Sequence, residues 1–174
     1  CKTPLFLGGA GRLLSVIAVA DTIKEDSPRA IRELQAMGIK VVMLTGDNKV
    51  TAHAVAKTLG IDQVEAEVLP DHKSDIVTKL RGESRVVAMA GDGVNDAPAM
   101  AHATVGIAMG AAGSDVALET ADVALMADSL SNLPFAIGLS RATNRIIRQN
   151  LWISLGMVAA LVPATLFGLS IGPA

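Results

Sequence analysis

Apolar and polar positions change period several times along this chain, and each change marks a predicted element. Leu13–Ala20 (LLSVIAVA) is an unbroken apolar run of strand length that stops at Asp21. Ser27-Pro28 then supplies a helix cap and a proline at the first helical position. Ile31, Leu34 and Met37 recur at helical spacing until Gly38 ends the helix. Val41–Leu44 has the continuous apolar character of a strand buried on both faces of a parallel sheet. Val50–Leu59 reads as a helix capped by Asp47 or Asn48 and closed by Gly60, and Val64–Val68 as a further strand before Pro70. Lys73–Arg81 carries Ile76, Val77 and Leu80 on one face and ends at Gly82. Arg85–Ala90, Val105–Met109 and Val123–Met126 are strands, with a short helix at Ala97–Ala103 and one helical turn at Ala117–Thr120. Alternating strand and helix predict a doubly wound α/β domain.

The pattern changes after Asn132. Leu133, Ile137, Ser140, Asn144 and Ile147 share one helical face, while Arg141, Arg145 and Arg148 share another. Beyond Arg148 there is no charge. Leu151–Ile171 would extend about 31 Å as a helix, which matches a hydrocarbon core, and Pro163 should kink it. The arginines just before this span place the α/β domain on the cytoplasmic side.

Composition narrows the function classes. The 174 residues have a net charge of −2, three Phe, one Trp and no Tyr. Neither a basic excess for phosphate backbones nor an aromatic platform for bases is present, so nucleic acid is not an expected partner. A single cysteine, Cys1, excludes an internal disulfide and suits a reducing compartment. No signal-peptide pattern opens the chain, and Cys1-Lys2-Thr3-Pro4 reads as the middle of a longer polypeptide.

Two loops carry candidate chemistry. Thr45-Gly46-Asp47 and Gly91-Asp92-Gly93-Val94-Asn95-Asp96 each follow a strand and open a helix, so in a parallel sheet they would meet at one edge. Asp92 and Asp96 offer hard oxygen ligands of the kind Mg²⁺ takes alongside waters and phosphate oxygens. The bland alternative is a polar turn in which Asn95 or Asp96 caps the next helix. Thr45 could hydrogen-bond phosphate in front of free helix amides, or act as an ordinary cap. Lys73 lies at a helix start, where the macrodipole disfavours a cation, which points to a nearby anion such as a phosphoryl group. A solvated lysine is the alternative. His53, His72 and His102 lack the neighbours of a zinc site. The scattered methionines read as core packing, and Ala108–Gly113 as a turn without the Gly-x-Gly-x-x-Gly order.

Taken together, TGDN (45–48), PDHK (70–73) and GDGVNDAPA (91–99), followed by a membrane helix, resemble the P-type ATPases. The resemblance implies a haloacid-dehalogenase-like, Rossmann-like phosphorylation domain, partial here over 1–128. A cytoplasmic stalk helix at 129–150 and a transmembrane helix at 151–171 would follow it. It implies that Thr45 contacts the phosphoryl group and Lys73 stabilises its charge. Asp92 would bind Mg²⁺, Asn95 and Asp96 would help hold phosphate and metal, and Gly46 and Asp47 would lie near the nucleotide. ATP, Mg²⁺, a transported divalent metal ion and the lipid bilayer are the implied cofactors and partners, in the plasma membrane of a bacterium. The stretches 11–27, 108–126 and 139–150 look like the heavy-metal branch, and GAAGSDVALETADVALM is more similar to zinc, cadmium and cobalt pumps than to copper pumps. A copper pump would be expected to have a Tyr-Asn pair in this helix, and the chain has no tyrosine. The absence of lysine after Lys79 leans toward cobalt-type relatives.

The sequence departs from that family in lacking the Asp-Lys-Thr-Gly-Thr segment whose aspartate accepts the phosphoryl group. That aspartate sits on a central strand, so strands flanking it here would meet a gap or repack. The nucleotide-binding domain and the Cys-Pro-Cys or Ser-Pro-Cys helix are also missing, so these residues alone should form no phosphoenzyme. Two rivals remain at this stage. One is a membrane-anchored phosphatase of the same superfamily, for which Asp21 is the only nucleophile candidate. The other is an inactive membrane-anchored module.

Overall fold

A computed structural model describes residues 3–9, 12–19, 22–83, 85–91, 94–110, 119–127 and 129–167. It divides into two units, Cys1–Pro134 and Phe135–Ala174.

The first unit opens with a hairpin. Strands β1 (Thr3–Gly9) and β2 (Arg12–Val19) pair antiparallel. The predicted apolar run is therefore a strand as far as Val19, and it pairs antiparallel. Its partner was hidden in sequence because Pro4 and the Gly8-Gly9 pair read as turn residues. With so few residues between the strands, only an antiparallel pairing is open to them. Phe6, Leu7, Leu13, Leu14 and Val16 are at least half exposed on this ribbon.

Helix α1 (Ser27–Ala36) turns Ala30, Ile31 and Leu34 inward. It ends where Gly38 takes φ +76°, with Ile39 N–H donating back to Leu34 O at 3.1 Å. Strand β3 (Val42–Leu44), helix α2 (Lys49–Leu59) and strand β4 (Gln63–Glu65) form a parallel β-α-β unit. Asn48 caps α2 by accepting from Thr51 N–H at 2.9 Å, and Gly60 closes it at φ +71°. Helix α3 (Pro70–Gly82) begins three residues before the predicted start, with Pro70 in its first turn. Strand β5 (Ala88–Gly91), a 3₁₀ turn (Val94–Asp96), helix α4 (Ala97–His102) and strands β6 (Val105–Met109) and β7 (Val123–Leu125) complete the unit. β5, β6 and β7 are parallel neighbours. The helical turn predicted at Ala117–Thr120 lies partly outside the described residues.

The α/β class is as the sequence predicts, yet the parallel strands form two pieces, β3–β4 and β5–β6–β7, and not one sheet. Among the described residues, β3 and β5 each keep an unpaired edge. These are the two strands after which the motifs come.

Each piece has its own core. Ile31, Ala56 and Ile61 pack with Val41, Met43, Leu59, Val64 and Leu130 around β3–β4. Ala97, Met100 and Ala108 pack with Met89 and Ala121 around β5–β7. The second is built from small residues at close approach. A Cβ on Gly106 would meet Met100 O and Cβ at 3.1 Å, so α4 would have to give by a few tenths of an ångström to admit a side chain there.

Asp26, not Ser27, occupies the N-cap position of α1, and its side chain makes no cap bond. Its carboxylate instead accepts from the hydroxyls of Ser129 and Ser131, which lie 2.6 Å from each other. The Ser129 bond holds the Asp26 carboxyl below its ordinary value of 3.8. This clamp and Leu130 tie the segment entering the last helix, α5 (Asn132–Leu166), to α1 and the β3 cluster.

Within the second unit α5 is continuous, without a break between 150 and 151, and stays helical through Pro163 to Leu166. Residues 168–171, the end of the predicted span, lie outside the described residues. The helix is long and apolar enough to cross a membrane, and none of its apolar window is buried.

A depressed carboxyl stabilises the folded state above its unfolded pKa, and that contribution is lost as pH falls through the lower folded value. Asp26→Ala is therefore expected to lower the melting temperature at pH 7. The gap to the parent should close as the medium is acidified below 3.8. Thermal unfolding by circular dichroism in detergent across pH checks this, and a gap independent of pH would contradict it.

Candidate active site

The Thr45 turn is fixed mainly by backbone. Thr45 N–H donates to Glu65 O at 3.0 Å, continuing the β3–β4 ladder. Val68 N–H donates to Thr45 O at 3.1 Å and Glu67 N–H to Asp47 O at 2.9 Å, so the turn lies against the β4–α3 connection. The Thr45 hydroxyl accepts from Asp47 N–H at 3.1 Å, a local side-chain turn. Gly46 and Asp47 are exposed in front of α2, where Asn48 accepts from the Thr51 N–H. Thr45 is half-buried.

Glu67 has no counterpart in the sequence predictions. It sits at φ +59°, the left-handed region that a residue with a Cβ rarely adopts. Such a conformation costs on the order of 1–3 kcal/mol and persists only where neighbours impose it. The neighbours here are Asp47 O, Lys49 N–H at 3.4 Å and Lys49 Nζ at 3.7 Å. Nothing in a glutamate's propensity announces this geometry.

From Val68 the chain passes through Leu69, the N-cap of α3, into the first turns that carry Lys73. Lys73 Nζ donates to Asp96 Oδ1 at 2.7 Å, with side chains only 16% and 13% exposed. The anion sought for the lysine thus comes from the chain itself. Opposing the helix dipole costs about 0.3–1 kcal/mol, while a charge-assisted hydrogen bond returns roughly 1.5–3 kcal/mol. The pair wins. It also explains why Asp96, at the N-cap position of α4, makes no cap bond.

Gly91 is the other half of this arrangement. A Cβ there would lie 2.6 Å from both Asp96 Cβ and Oδ2. The strand end must be glycine for the carboxylate to fold back over it towards Lys73. Asn95 is exposed on the same turn. Asp92 and Gly93 lie outside the described residues.

The structure therefore brings Lys73 and Asp96 into contact and ties the Thr45–Asp47 turn to the connection that delivers Lys73. Among the described residues, no group of three or more His, Cys, Asp or Glu could hold a metal. Mg²⁺ needs no such cage, since one or two carboxylates suffice when phosphate oxygens and waters complete the shell. Asp96 fits that role. One oxygen binds Lys73 and the other lies over the bare backbone of Gly91.

The sequence matches the family described as haloacid dehalogenase-like hydrolase over residues 2–104. It is 53% identical over 162 residues to Copper-transporting ATPase 1 of Rhizobium meliloti (strain 1021), covering 93% of this chain and 20% of that protein. It is 52% identical over 157 residues to a probable cadmium-transporting ATPase of Alkalihalophilus pseudofirmus, covering 90% of this chain and 22% of the relative. The structure of a zinc-transporting PIB-type ATPase in the E2.Pi state superposes with a TM-score of 0.86 at 46% identity, over 97% of this chain and 28% of that one. The chain spans about a fifth of the length of the curated relatives it matches.

Breaking the pair leaves a poorly solvated charge. Lys73→Met and Asp96→Leu should each destabilise the protein by about 1–3 kcal/mol, below the 3–5 typical of fully buried pairs. The double variant should cost clearly less than the sum. Gly91→Ala should cost a similar 1–3 kcal/mol by overpacking. Denaturant unfolding in detergent reads all four. Additive single and double effects would mean that the two side chains do not interact.

Proposed function

The chain belongs to the haloacid dehalogenase-like hydrolases, and from that premise we propose that it is part of a heavy-metal pump of the P-type ATPase class. In the complete protein ATP would phosphorylate an aspartate supplied from outside these 174 residues. Turnover of that aspartyl phosphate would drive a metal cation across the membrane. Residues 1–128 would be part of the phosphorylation domain, 129–150 the stalk, and 151–171 a membrane span in a bacterial plasma membrane, with the α/β domain cytoplasmic.

One observation carries the reading: Asp96, the last residue of the GDGVND motif, meets at 2.7 Å the Lys73 of α3, whose entry is hydrogen-bonded to the TGD turn. The relatives that match most of the chain are named as metal-transporting ATPases, which supports the same conclusion.

The residues divide the work in a way their environment suits. A phosphoryl group arriving at this edge adds negative charge next to Asp96. Lys73, held by its bond to Asp96 and largely shielded from water, is the cation that can neutralise both. Its attraction is strongest as charge develops on the transferring oxygens, because it is already positioned and needs no reorganisation. The Thr45 hydroxyl and the Gly46 amide would hydrogen-bond phosphoryl or nucleotide oxygens, with Asp47 alongside and its own N–H held by the Thr45 hydroxyl. Asn95 would hold phosphate from the facing turn. Asp96, together with Asp92, would hold Mg²⁺, which when bound supplies charge stabilisation to the phosphoryl oxygens.

The wording of residues 108–126 and the absence of tyrosine favour zinc, cadmium or cobalt over copper as cargo. Overall identity does not separate them, at 53% for a copper-named and 52% for a cadmium-named relative. The phosphatase alternative is disfavoured. Its nucleophile would have to end a central parallel strand, whereas β2, the strand before Asp21, belongs to an antiparallel hairpin.

In the full-length protein, Lys73→Met and Asp96→Asn should each lower phosphoenzyme formed from radiolabelled ATP by about 100-fold or more. The 174-residue chain alone should form no hydroxylamine-sensitive acyl phosphate. Normal phosphorylation of either variant, or an acyl phosphate on the isolated chain, would overturn the proposal.

A further inference from the structure

Helix α5 carries a second kind of anion chemistry, on residues separate from those of the phosphate edge. At 100° per residue, Arg145, Arg148 and Trp152 fall within an arc of about 60° on one helix face. All three are exposed, Trp152 at 75%. The helix contains no acidic residue from Asn132 to Leu166, so it offers these cations no partner of its own. The charge-free stretch begins at once after Arg148.

We propose that Arg145, Arg148 and Trp152 form a binding site for the headgroup of an anionic phospholipid at the cytoplasmic face of the bilayer. This rests on the reading of the helix from Leu151 as a membrane span. If Leu151 marks the edge of the hydrocarbon, Arg148 stands about 4.5 Å above it and Arg145 about 9 Å. The headgroup layer is roughly 5–8 Å deep on each side. Arg148 is therefore inside that layer and Arg145 at its outer margin, within reach of the same phosphate. Arg141, about 15 Å up, is too far to take part.

Trp152 lies just below the boundary on the same face, the depth at which an indole ring settles with its N–H towards the headgroups. Two guanidinium groups above an indole match a phosphodiester with a net negative charge, because the planar fork binds two phosphate oxygens at once. A zwitterionic headgroup carries the same phosphate but cancels it with its own ammonium. A second copy of this helix would bring only more arginine to the face, and like charges disfavour that pairing.

Trp152 is the only tryptophan in the chain, so its fluorescence reports on this site alone. The protein is reconstituted into phosphatidylcholine bilayers containing a minor fraction of phosphatidylglycerol. Bromine is carried near the glycerol end of the acyl chains of one lipid or the other. Per brominated lipid, quenching by phosphatidylglycerol should exceed that by phosphatidylcholine about fivefold at low salt, the factor one arginine contributes near an anionic surface. The excess should shrink with added salt and disappear in Arg145→Gln/Arg148→Gln.

Equal quenching by both lipids in the parent protein would overturn the headgroup site while leaving the span intact. Quenching by neither would overturn the span, and the site with it. Loss of the preference in inorganic phosphate but not in chloride of equal ionic strength would reassign the arginines to free phosphate and sink the lipid proposal.

Discussion

A lysine ammonium and an aspartate carboxylate, 2.7 Å apart and mostly withdrawn from water, form the contact on which the rest of the strand-end arrangement depends. They join two pieces of parallel sheet that share no backbone hydrogen bond among the described residues. The pair constrains its surroundings in both directions. Residue 91 must lack a side chain for Asp96 to reach back over the strand, and α3 must begin at Pro70 for Lys73 to lie in its opening turns. Charge held in place before a ligand arrives is what makes such an edge useful for phosphate chemistry.

A physical path leads from this edge to the start of the long helix within the first unit. Thr45 directly follows β3, and β3 contributes Met43 to the cluster that also takes Leu130. On either side of Leu130, Ser129 and Ser131 are bound to Asp26 at the head of α1. A shift of β3 along its axis would press on the same packed cluster that seats the residues entering α5. Close-packed side chains transmit such a displacement because they have no slack to absorb it.

Local punctuation was legible in the chain. Gly38 and Gly60 stop helices because only a residue without Cβ takes φ near +70° at low cost, and Asn48 caps because its side chain reaches Thr51 N–H. The long apolar helix and the strands at Val42–Leu44 and Val105–Met109 followed from continuous hydrophobic runs. Pairing was not legible. The run at Leu13–Ala20 looks the same whether its partner is parallel or antiparallel, and Pro4 and Gly8 disguised that partner. For the site, residue type singled out Lys73 and Asp96, but their mutual contact spans 23 positions and no local pattern encodes it. Asp26 shows the same limit. It caps by position, yet its side chain serves residues more than 100 positions away. The left-handed Glu67 went against its propensity altogether.

On the proposed function, the Thr45 turn and the Asp96 turn would face one shared anion and metal edge. Manganese, a paramagnetic stand-in for magnesium, can report on both turns at once in the amide spectrum of isotopically labelled protein in detergent micelles. At sub-stoichiometric Mn²⁺, signals from Thr45–Asp47 and from Asn95 and Asp96 should broaden together, over one concentration range, and less so in Asp96→Asn. Broadening confined to one of the two turns, or centred on other surface carboxylates such as Asp62 and Glu83, would contradict it.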